Sequence, residues 1–360
     1  MLKSIAEAKG YIKVALNCEE QNKKKYLLAS ACYLENSKTQ DNILYNQMAH
    51  YLFLKALALK TKQEATNKAD SKINLIKAYK NVKIGFDDIC GLEEAKKKIK
   101  EKIIYPYEKP EIYKIYKRNA GGGILLWGPP GCGKTLIAEA TAKEAKAVFF
   151  NIGISDVLSK WVGESEKIIA NIFEQARKQP SVVFFDELDA LGTQRNEEEN
   201  SFTRRLTNTI LSQIDGIGTK QGKILLLGAT NRPWNIDDAL RRPGRFDEIV
   251  FIGIPNNKTR GKIIQMQLKQ KPISKDIDLD FLIKNTNKFS CADIVALCND
   301  AINIPLTEAL EGKQIRKINF NDFSIALKSR KSSIKSWFEK SKNEVLKTNN
   351  KDLFKEVFEF

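Results

Sequence analysis

The sequence predicts an α/β protein in which a domain built on a parallel sheet is preceded by a small helical bundle and followed by a smaller helical domain. Short β-type runs alternate with helical stretches from about residue 85, which is the pattern of a parallel sheet with crossover helices. The β-type runs stop after Pro255, and residues 258–330 have helical patterns only. The five β-type runs are residues 123–127, 148–152, 182–185, 224–227 and 249–251.

These patterns divide the chain into five segments. Apolar residues in the first recur at helical spacing, and three short helices of this kind can bury one another's apolar stripes. The second is polar and lysine-rich, which suits a linker. The predicted segments are a three-helix bundle at 1–62, a linker at 63–84, the α/β domain at 85–255, the helical domain at 256–330, and a C-terminal helix with a short aromatic tail at 331–360.

The composition is that of an ordinary globular protein, with 42% hydrophobic and 29% charged residues. No apolar run approaches the roughly 20 residues that cross a bilayer, and the first residues lack the apolar segment of a secretory signal. The six cysteines include no CxxC pair, and the chain has one histidine. Zinc sites and disulfide frameworks are therefore disfavoured, and a cytoplasmic location is predicted.

The net charge of +16 has two interpretations. It can indicate an acidic partner such as nucleic acid, anionic lipid or an acidic protein tail, or simply a lysine-rich solvated surface. Residues 1–85 contain 15 lysines, seven acidic residues and no arginine. The arginines begin at Arg118, and several lie in the motifs below, where a rigid fork can meet phosphate or carboxylate.

A glycine-rich loop lies at residues 128–135 and predicts a phosphate-binding site. Residues 128–135 fit the pattern G-x-x-x-x-G-K-[ST], follow an apolar strand and begin a helical run, which is the context that this motif requires. Glycines allow backbone N–H groups to surround phosphates, and the following helix presents its positive end to them. Lys134 can reach the β- and γ-phosphates, and Thr135 can bind Mg²⁺ through its hydroxyl. The predicted nucleotide-binding residues of this loop are Gly128, Pro129, Pro130, Gly131, Cys132, Gly133, Lys134, Thr135 and Leu136.

Polar residues follow two further apolar runs. In SVVFFDELD, Asp186 would hold the Mg²⁺ shell and Glu187 would polarise the attacking water. In ILLLGATNR, Asn231 would lie beside the γ-phosphate and orient that water. Asparagine is also common in strand-end turns, but the neighbouring motifs favour the functional interpretation.

A Pro-Gly turn presents several arginines, among them Arg242 and Arg245. A nucleotide held by its own loop does not need this many cations. An arginine supplied by a neighbouring subunit would stabilise transition-state charge and make hydrolysis depend on assembly. Such a contact between unlike surfaces closes into a ring when the rotation permits.

These motifs, in this order and spacing, resemble those of the AAA family over the predicted α/β and helical domains. The resemblance implies an α/β nucleotide domain, a helical lid and a ring, usually hexameric, with ATP bound between subunits. It implies that Asp186 is the Walker B acid and Glu187 the catalytic glutamate. Asn231 would be the first sensor, and Arg242 and Arg245 would be arginine fingers acting in trans.

Two stretches resemble family motifs but carry a cysteine in place of a glycine. The residues from Asp88 to Leu92 resemble the adenine-contacting D-I-G-G-L stretch, with Cys90 in place of a glycine. Residues 289–293 resemble the S-G-A-D stretch of the lid, where Cys291 stands at a glycine that lies close to nucleotide. The resemblance therefore implies contacts of Asp88 and Gly91 with nucleotide, and it leaves the effect of Cys90 and Cys291 on nucleotide affinity open.

The stretch SKWVGESE resembles the first pore loop of protein-translocating members, with Lys160, Trp161 and Val162 at its tip. An exposed aromatic side chain can grip an extended polypeptide without reading its sequence, and exposure of tryptophan needs a reason. The alternative is a Trp161 packed in the core. Residues 192–200 would form either a second pore loop or a solvated acidic loop.

The pore-loop stretch and the single ATPase module resemble the branch that contains ESCRT-III-disassembling ATPases, katanin and spastin. Residues 51–60 resemble the last helix of an MIT bundle, with Lys55 in place of an arginine. A tetratricopeptide-like hairpin is the alternative for this segment. Residues 301–323 are too short for the extra β-domain of the ESCRT-disassembling enzymes, and the C-terminal tail is closer to unfoldases like valosin-containing protein.

The function predicted from the sequence is Mg²⁺-dependent ATP hydrolysis that drives the remodelling, disassembly or unfolding of proteins threaded through the pore of a ring. Its partners would be copies of itself and protein substrates, some bound through helical tails by residues 1–62. Peripheral membrane association is compatible with the charge. The alternatives are a general unfoldase like valosin-containing protein, a nucleic-acid motor and a non-hydrolysing scaffold. The pore loop and paired fingers disfavour the nucleic-acid motor, and the intact motifs disfavour the scaffold.

Overall fold

The computed structural model describes residues 77–79, 82–117, 122–160, 164–192, 197–217, 224–348 and 351–359. All of them lie in one unit, Ile76–Phe360. The predicted three-helix bundle, with its MIT-like or tetratricopeptide-like character, lies outside the described residues. In the described ranges, no helix combines the length and the apolar character needed to cross a membrane.

A six-stranded sheet with the order β1-β3-β4-β5-β2-β6 forms the centre of the α/β domain. All neighbouring strands run parallel except β1, which pairs antiparallel with β3. Each of the five predicted β-type runs is a strand. The strands are β1 (Lys77–Tyr79), β2 (Gly123–Trp127), β3 (Val148–Gly153), β4 (Ser181–Asp186), β5 (Ile224–Thr230) and β6 (Glu248–Phe251).

The edge strand β1 was not predicted, because it lies in the segment 63–84 that the sequence assigns to a linker. Lys77 pairs with Asn151, and Tyr79 pairs with Phe149. Three residues are too few to display the alternation that identifies a strand, and the surrounding lysines resemble a solvated linker. The strand extends the sheet at its β3 edge.

Burial on both faces explains why the inner strands β2, β4 and β5 are continuous apolar runs. Ile124 and Leu126 pack into one core with α4, and Leu125 packs into a second core on the opposite face with α6 and α7. This alternation is the period of two expected for a strand. The helices of the α/β domain are α1 (Glu93–Ile99, continued by a π-helical segment Lys100–Ile104), α2 (Tyr105–Glu108), α3 (Pro110–Ile115), α4 (Lys134–Glu144), α5 (Ile154–Lys160), α6 (Ser165–Arg177) and α7 (Glu197–Asp215).

The helical domain has its own core, in which Leu297, Phe323 and Leu282 are fully buried. Its helices begin at side chains that accept hydrogen bonds from the first turn, which satisfies N–H groups that no helix can pair by itself. The helices and their capping residues are α8 (Asn257–Leu268, capped by Asn256), α9 (Leu279–Asn285, capped by Asp278), α10 (Cys291–Leu310, capped by Ser290) and α11 (Phe320–Ser329, capped by Asn319).

The C-terminal segment returns to the sheet. A last helix, α12 (Lys335–Leu346), is followed by a 3-10 turn, Lys351–Val357. Val345, Phe354 and Val357 are fully buried in one cluster with Trp127, the last residue of β2. The predicted helix with an aromatic tail therefore packs onto the end of the strand that precedes the glycine-rich loop.

Candidate active site

The glycine-rich loop joins β2 to α4 and depends on glycine at three positions. Gly128, Gly131 and Gly133 have φ angles of +146°, +73° and +99°. A Cβ atom at Gly128 would collide with the carbonyl oxygen of Ile252, and one at Gly131 would lie 2.9 Å from the Cβ of Ala292. Only glycine fits both the backbone angles and this close packing. Of the other predicted loop residues, two are buried (Pro129 and Cys132) and three are exposed (Pro130, Thr135 and Leu136).

Lys134 begins α4 and is 8% exposed. Its Nζ donates hydrogen bonds to the carbonyl oxygens of Gly128 and Pro129, both at 2.9 Å. Burial lowers the pKa of Lys134 to about 8. An ammonium group has three donors, so one is left for a further acceptor while both loop contacts persist. A phosphate would supply that acceptor together with the charge that compensates for burial.

Thr135 and Asp186 connect the loop to the end of β4. The Thr135 Oγ1 donates to Asp186 Oδ2 at 2.9 Å, and the backbone N–H of Glu187 donates to Asp186 Oδ1 at 3.0 Å. Burial raises the pKa of Asp186. The pair fits Mg²⁺, which is usually held by one or two carboxylates together with substrate phosphates. In the ranges described, no cluster of three or more His, Cys, Asp or Glu side chains forms a protein-only metal site.

Glu187 is exposed immediately after β4 and has a left-handed backbone, with φ +56°. Few residues other than glycine adopt this conformation, and such angles concentrate at functional sites. The two adjacent carboxyl groups differ in their contacts, because Asp186 is hydrogen-bonded to Thr135 and Glu187 is exposed to solvent. Two acidic neighbours thus have two different environments.

Asn231 follows β5 and is held by Asp189. The Asp189 Oδ1 accepts hydrogen bonds from the Thr230 hydroxyl at 2.7 Å and from the Asn231 N–H at 3.2 Å. The Asn231 Oδ1 is buried and has no hydrogen-bond partner in the part of the chain that the structure describes. A buried amide oxygen of this kind is costly unless a ligand or water pairs with it.

The lid begins against the glycine-rich loop. The Ala292 N–H donates to the carbonyl oxygen of Gly131 at 3.0 Å. The Cys291 Sγ donates to the carbonyl oxygen of Cys132 at 3.9 Å. Burial raises the pKa of Cys291 to about 11 and that of Cys132 to about 12, so both thiols are protonated near neutral pH. The cysteine that replaces a glycine in the lid therefore does lie beside the loop.

Residues 124–254 match the model of the ATPase family associated with various cellular activities (AAA), and residues 276–324 match that of the AAA+ lid domain. The structure is similar to the crystal structure of the FIGL-1 AAA domain, with a TM-score of 0.67 and 34% identity over 77% of this chain and 95% of that one. The chain belongs to the AAA family of ATPases. The family and fold class predicted from the motifs are confirmed.

Two further similar structures indicate the branch of the family to which this AAA ATPase is related. The FIGL-1 AAA domain in complex with ADP has a TM-score of 0.66 and 35% identity, over 77% of this chain and 96% of that one. A structure that describes the basis for katanin self-assembly has a TM-score of 0.65 and 33% identity, over 76% of this chain and 95% of that one. The predicted resemblance to the katanin and spastin branch is confirmed.

A sequence relative is named as a cell division cycle ATPase of Plasmodium falciparum (isolate 3D7). It is 41% identical over 252 residues, which are 67% of this chain. The match covers 20% of the length of that relative. The match thus concerns the ATPase part of a longer protein.

The two predicted arginine fingers have different surroundings in this AAA ATPase. Arg245 donates to both carboxylate oxygens of Asp215, at 2.8 and 2.7 Å, and to the carbonyl oxygen of Ala239 at 2.7 Å. The hydrogen bond from Arg245 lowers the pKa of Asp215. Arg242 is exposed and has no ion-pair partner within the described residues. Only Arg242 is therefore available to a second molecule without breaking an internal pair.

The stretch that resembles the adenine-contacting motif, residues 88–92, lies between the glycine-rich loop and the lid. A Cβ built at Gly133 would lie 3.9 Å from the Leu92 side chain, and one at Gly91 would collide with the side chain of Thr259 in α8. The Asp88 carboxylate accepts from the N–H of Gly85 at 2.8 Å, which lowers its pKa and engages it in its own turn. Gly91 thus lies at the lid, whereas Asp88 stabilises the start of the domain.

The predicted pore loop is largely outside the described residues. Lys160 is the last residue of α5, and the structure describes its backbone only. Trp161 and Val162 lie outside the described ranges. Both interpretations of the tryptophan therefore stay open, and so do those of residues 192–200, of which the structure describes parts.

Sequence reasoning missed two residues at the site. Asp189 joins Thr230 to Asn231, and Trp337 of α12 donates from its indole to the carbonyl oxygen of Asn231 at 3.0 Å. Asp189 stands in the same D-E-L-D run as the predicted acids, which was a signal. Trp337 had no such signal, because it lies 106 positions from its partner.

Proposed function

We propose that this AAA ATPase uses Mg²⁺ and ATP to remodel protein substrates that pass through the pore of an oligomeric ring. The observation that carries the proposal is the contact between Thr135 and Asp186 at 2.9 Å beside the buried Lys134. It brings a hydroxyl, a carboxylate and an ammonium group to the start of α4, the set required for a nucleoside triphosphate with its metal.

The residues at this site divide the work of phosphoryl transfer. Lys134 binds the β- and γ-phosphates, and Thr135 with Asp186 would hold Mg²⁺, which neutralises phosphate charge when bound. Glu187, open to solvent at the end of β4, polarises the attacking water. Asn231 orients that water through its buried amide oxygen, which has no hydrogen-bond partner among the described residues.

Assembly into a ring would bring an arginine of one subunit to the nucleotide of the next. Arg242 is exposed, and its site of action in this proposal is the nucleotide of the neighbouring subunit. The similarity to a structure on katanin self-assembly supports an oligomer, and we propose a hexamer. Arg245 would act in trans only after leaving Asp215, so Arg242 is the stronger candidate.

The substrate is proposed to be protein, gripped by a loop that contains Lys160, Trp161 and Val162. A dedicated disassembly or severing machine of the cytoplasm is our first proposal, because the pore-loop stretch resembles that branch and the chain is similar to the FIGL-1 and katanin AAA domains. Residues 1–62 would recruit helical tails of the substrate. A general unfoldase like valosin-containing protein is the alternative, and the two differ in the breadth of substrates.

A substrate trap tests this function. The Glu187→Gln protein, held in ATP, should retain bound proteins from native lysate, and Lys134→Ala should retain none because it cannot bind nucleotide. A few partners with helical tails, lost on deletion of residues 1–60, support dedicated disassembly, whereas a broad set supports a general unfoldase. Retention of the same proteins by both variants would contradict ATP-dependent substrate engagement.

A further inference from the structure

The C-terminal helix reaches the residue proposed to orient water. The indole Nε1 of Trp337, in the first turn of α12, donates a hydrogen bond of 3.0 Å to the carbonyl oxygen of Asn231. No other side-chain donor to this carbonyl is found in the described ranges. The contact joins the helix α12 to the residue that follows the strand β5.

The indole itself is held in place by aromatic neighbours. Its ring centroid is 4.9 Å from that of Phe338, with the planes perpendicular, and 6.3 Å from that of Trp234. Trp234 in turn lies 6.5 Å from Phe354 of the C-terminal turn in an edge-to-face arrangement. Offset and edge-to-face aromatic packing restricts ring rotation, so the N–H group points in a fixed direction.

Two hydrogen bonds, one at the N–H and one at the carbonyl oxygen, therefore hold the backbone of Asn231. Its N–H donates to Asp189 at 3.2 Å, and its carbonyl oxygen accepts from Trp337. The side-chain Oδ1 is buried without a partner in the described part of the chain. Since orienting groups must be held within a fraction of an ångström, the two backbone contacts determine where this amide can act.

The helix that carries Trp337 is also tied to the lid. The N–H and the hydroxyl of Ser333, just before α12, donate to the Asp293 Oδ2 at 3.1 and 3.0 Å. The same oxygen accepts from the N–H of Ser290 at 3.0 Å, and Ser290 caps the lid helix that lies against Gly131. A short path of contacts therefore runs from the phosphate loop through the lid to Asn231.

We propose that Trp337 is a positioning residue for ATP hydrolysis. It holds the backbone of Asn231 so that the amide stays in place for the attacking water. This inference rests on the proposed function, because it gives Asn231 a role in hydrolysis. It predicts an effect on the chemical step and no effect on nucleotide binding, since no hydrogen bond joins Trp337 to the glycine-rich loop within the described ranges.

The test is the single-turnover rate of ATP hydrolysis by the Trp337→Phe protein. Phenylalanine keeps an aromatic ring and loses the donor, and loss of one hydrogen bond corresponds to a rate about 3- to 10-fold lower. The dissociation constant of a fluorescent ADP should change by less than about twofold. Trp234→Phe is the matched control from the same aromatic cluster, whose indole has no hydrogen-bond partner in the described ranges, and its rate should stay within about twofold of the parent.

Replacement of Trp337 by 3-benzothienylalanine removes the N–H at constant ring shape and should lower the rate like Trp337→Phe. An unchanged rate in this analogue would overturn the proposal, and so would an equal loss of ADP affinity or a loss of assembly that accounts for the lower rate. The Asn231→Ala variant distinguishes a failure of the proposed role of Asn231 from a failure of the inference on Trp337. If Asn231→Ala hydrolyses ATP normally, the proposed role of Asn231 fails. If it is impaired and the Trp337 variants are not, only the inference on Trp337 fails.

Discussion

The buried ammonium group of Lys134 shows how a single residue can be prepared for its ligand. Its two contacts are to carbonyl oxygens of its own loop, which are weaker partners for a cation than phosphate oxygens. Burial lowers its pKa to about 8, so the free protein carries a lysine that is partly deprotonated at mildly alkaline pH. Nucleotide binding should reverse this effect, because nearby negative charge favours the charged form.

Binding of ADP should therefore be accompanied by proton uptake that increases from pH 7.5 to pH 9.0. Bound phosphate raises the pKa of Lys134 from about 8, so the bound form keeps a proton that much of the free form has lost. Titration calorimetry in buffers of different ionisation enthalpy measures this uptake. The thiols of Cys132 and Cys291 stay largely protonated in this range, because burial raises the pKa of each to about 12 and about 11. Equal proton uptake at both pH values would contradict the assignment.

Glu187→Gln should bind ATP with nearly unchanged affinity and hydrolyse it about 10²- to 10⁴-fold more slowly, as expected for loss of a general base. The amide keeps the size of the side chain at a position with φ +56°, so folding should be preserved. Steady-state phosphate release and ATP binding are the two measurements. Glu174→Gln is the matched control, because Glu174 is an exposed carboxylate of α6 that pairs with Lys178. A Glu187→Gln protein with normal turnover would remove Glu187 from the mechanism.

At the scale of elements, burial and local capping determined what could be predicted. The inner parallel strands were predictable because both of their faces are buried. The lid helices were predictable because their capping residues and apolar spacing are local in sequence. The three-residue β1 carries no such pattern. The pair of Arg245 with Asp215 and the contact of Trp337 with Asn231 join distant elements, so no local pattern encodes them.

Ser290→Ala should destabilise the lid by about 1 kcal/mol, the typical value for loss of an N-cap side chain. The Ser290 Oγ accepts from the N–H of Asp293 at 3.0 Å, as part of a capping box at the start of α10. Urea unfolding measures the change. Ser324→Ala in α11 is the control, since its hydroxyl only donates back to the carbonyl oxygen of Phe320 and adds little stability. Equal effects of the two changes would argue against a capping role.

For the whole molecule, the central question is whether one subunit completes the site of another. The described chain brings Lys134, Thr135, Asp186 and Asn231 to the carboxyl ends of neighbouring parallel strands, where open α/β sheets bind ligands. It leaves Arg242 exposed. Lys134 is the loop cation of this site, and we propose that the arginine that stabilises charge in the transition state is Arg242 of a neighbouring subunit.

The most direct test mixes two inactive proteins. Arg242→Ala keeps Glu187 but lacks the finger, and Glu187→Gln keeps Arg242 but cannot activate water. Each alone should hydrolyse ATP at a small fraction of the parent rate. Mixed subunits should regain activity well above the sum of the two, because Arg242 of one subunit then serves Glu187 of the next. If no ratio of the two exceeds that sum, although co-sedimentation shows that they assemble together, Arg242 does not act in trans and the proposed ring mechanism is wrong.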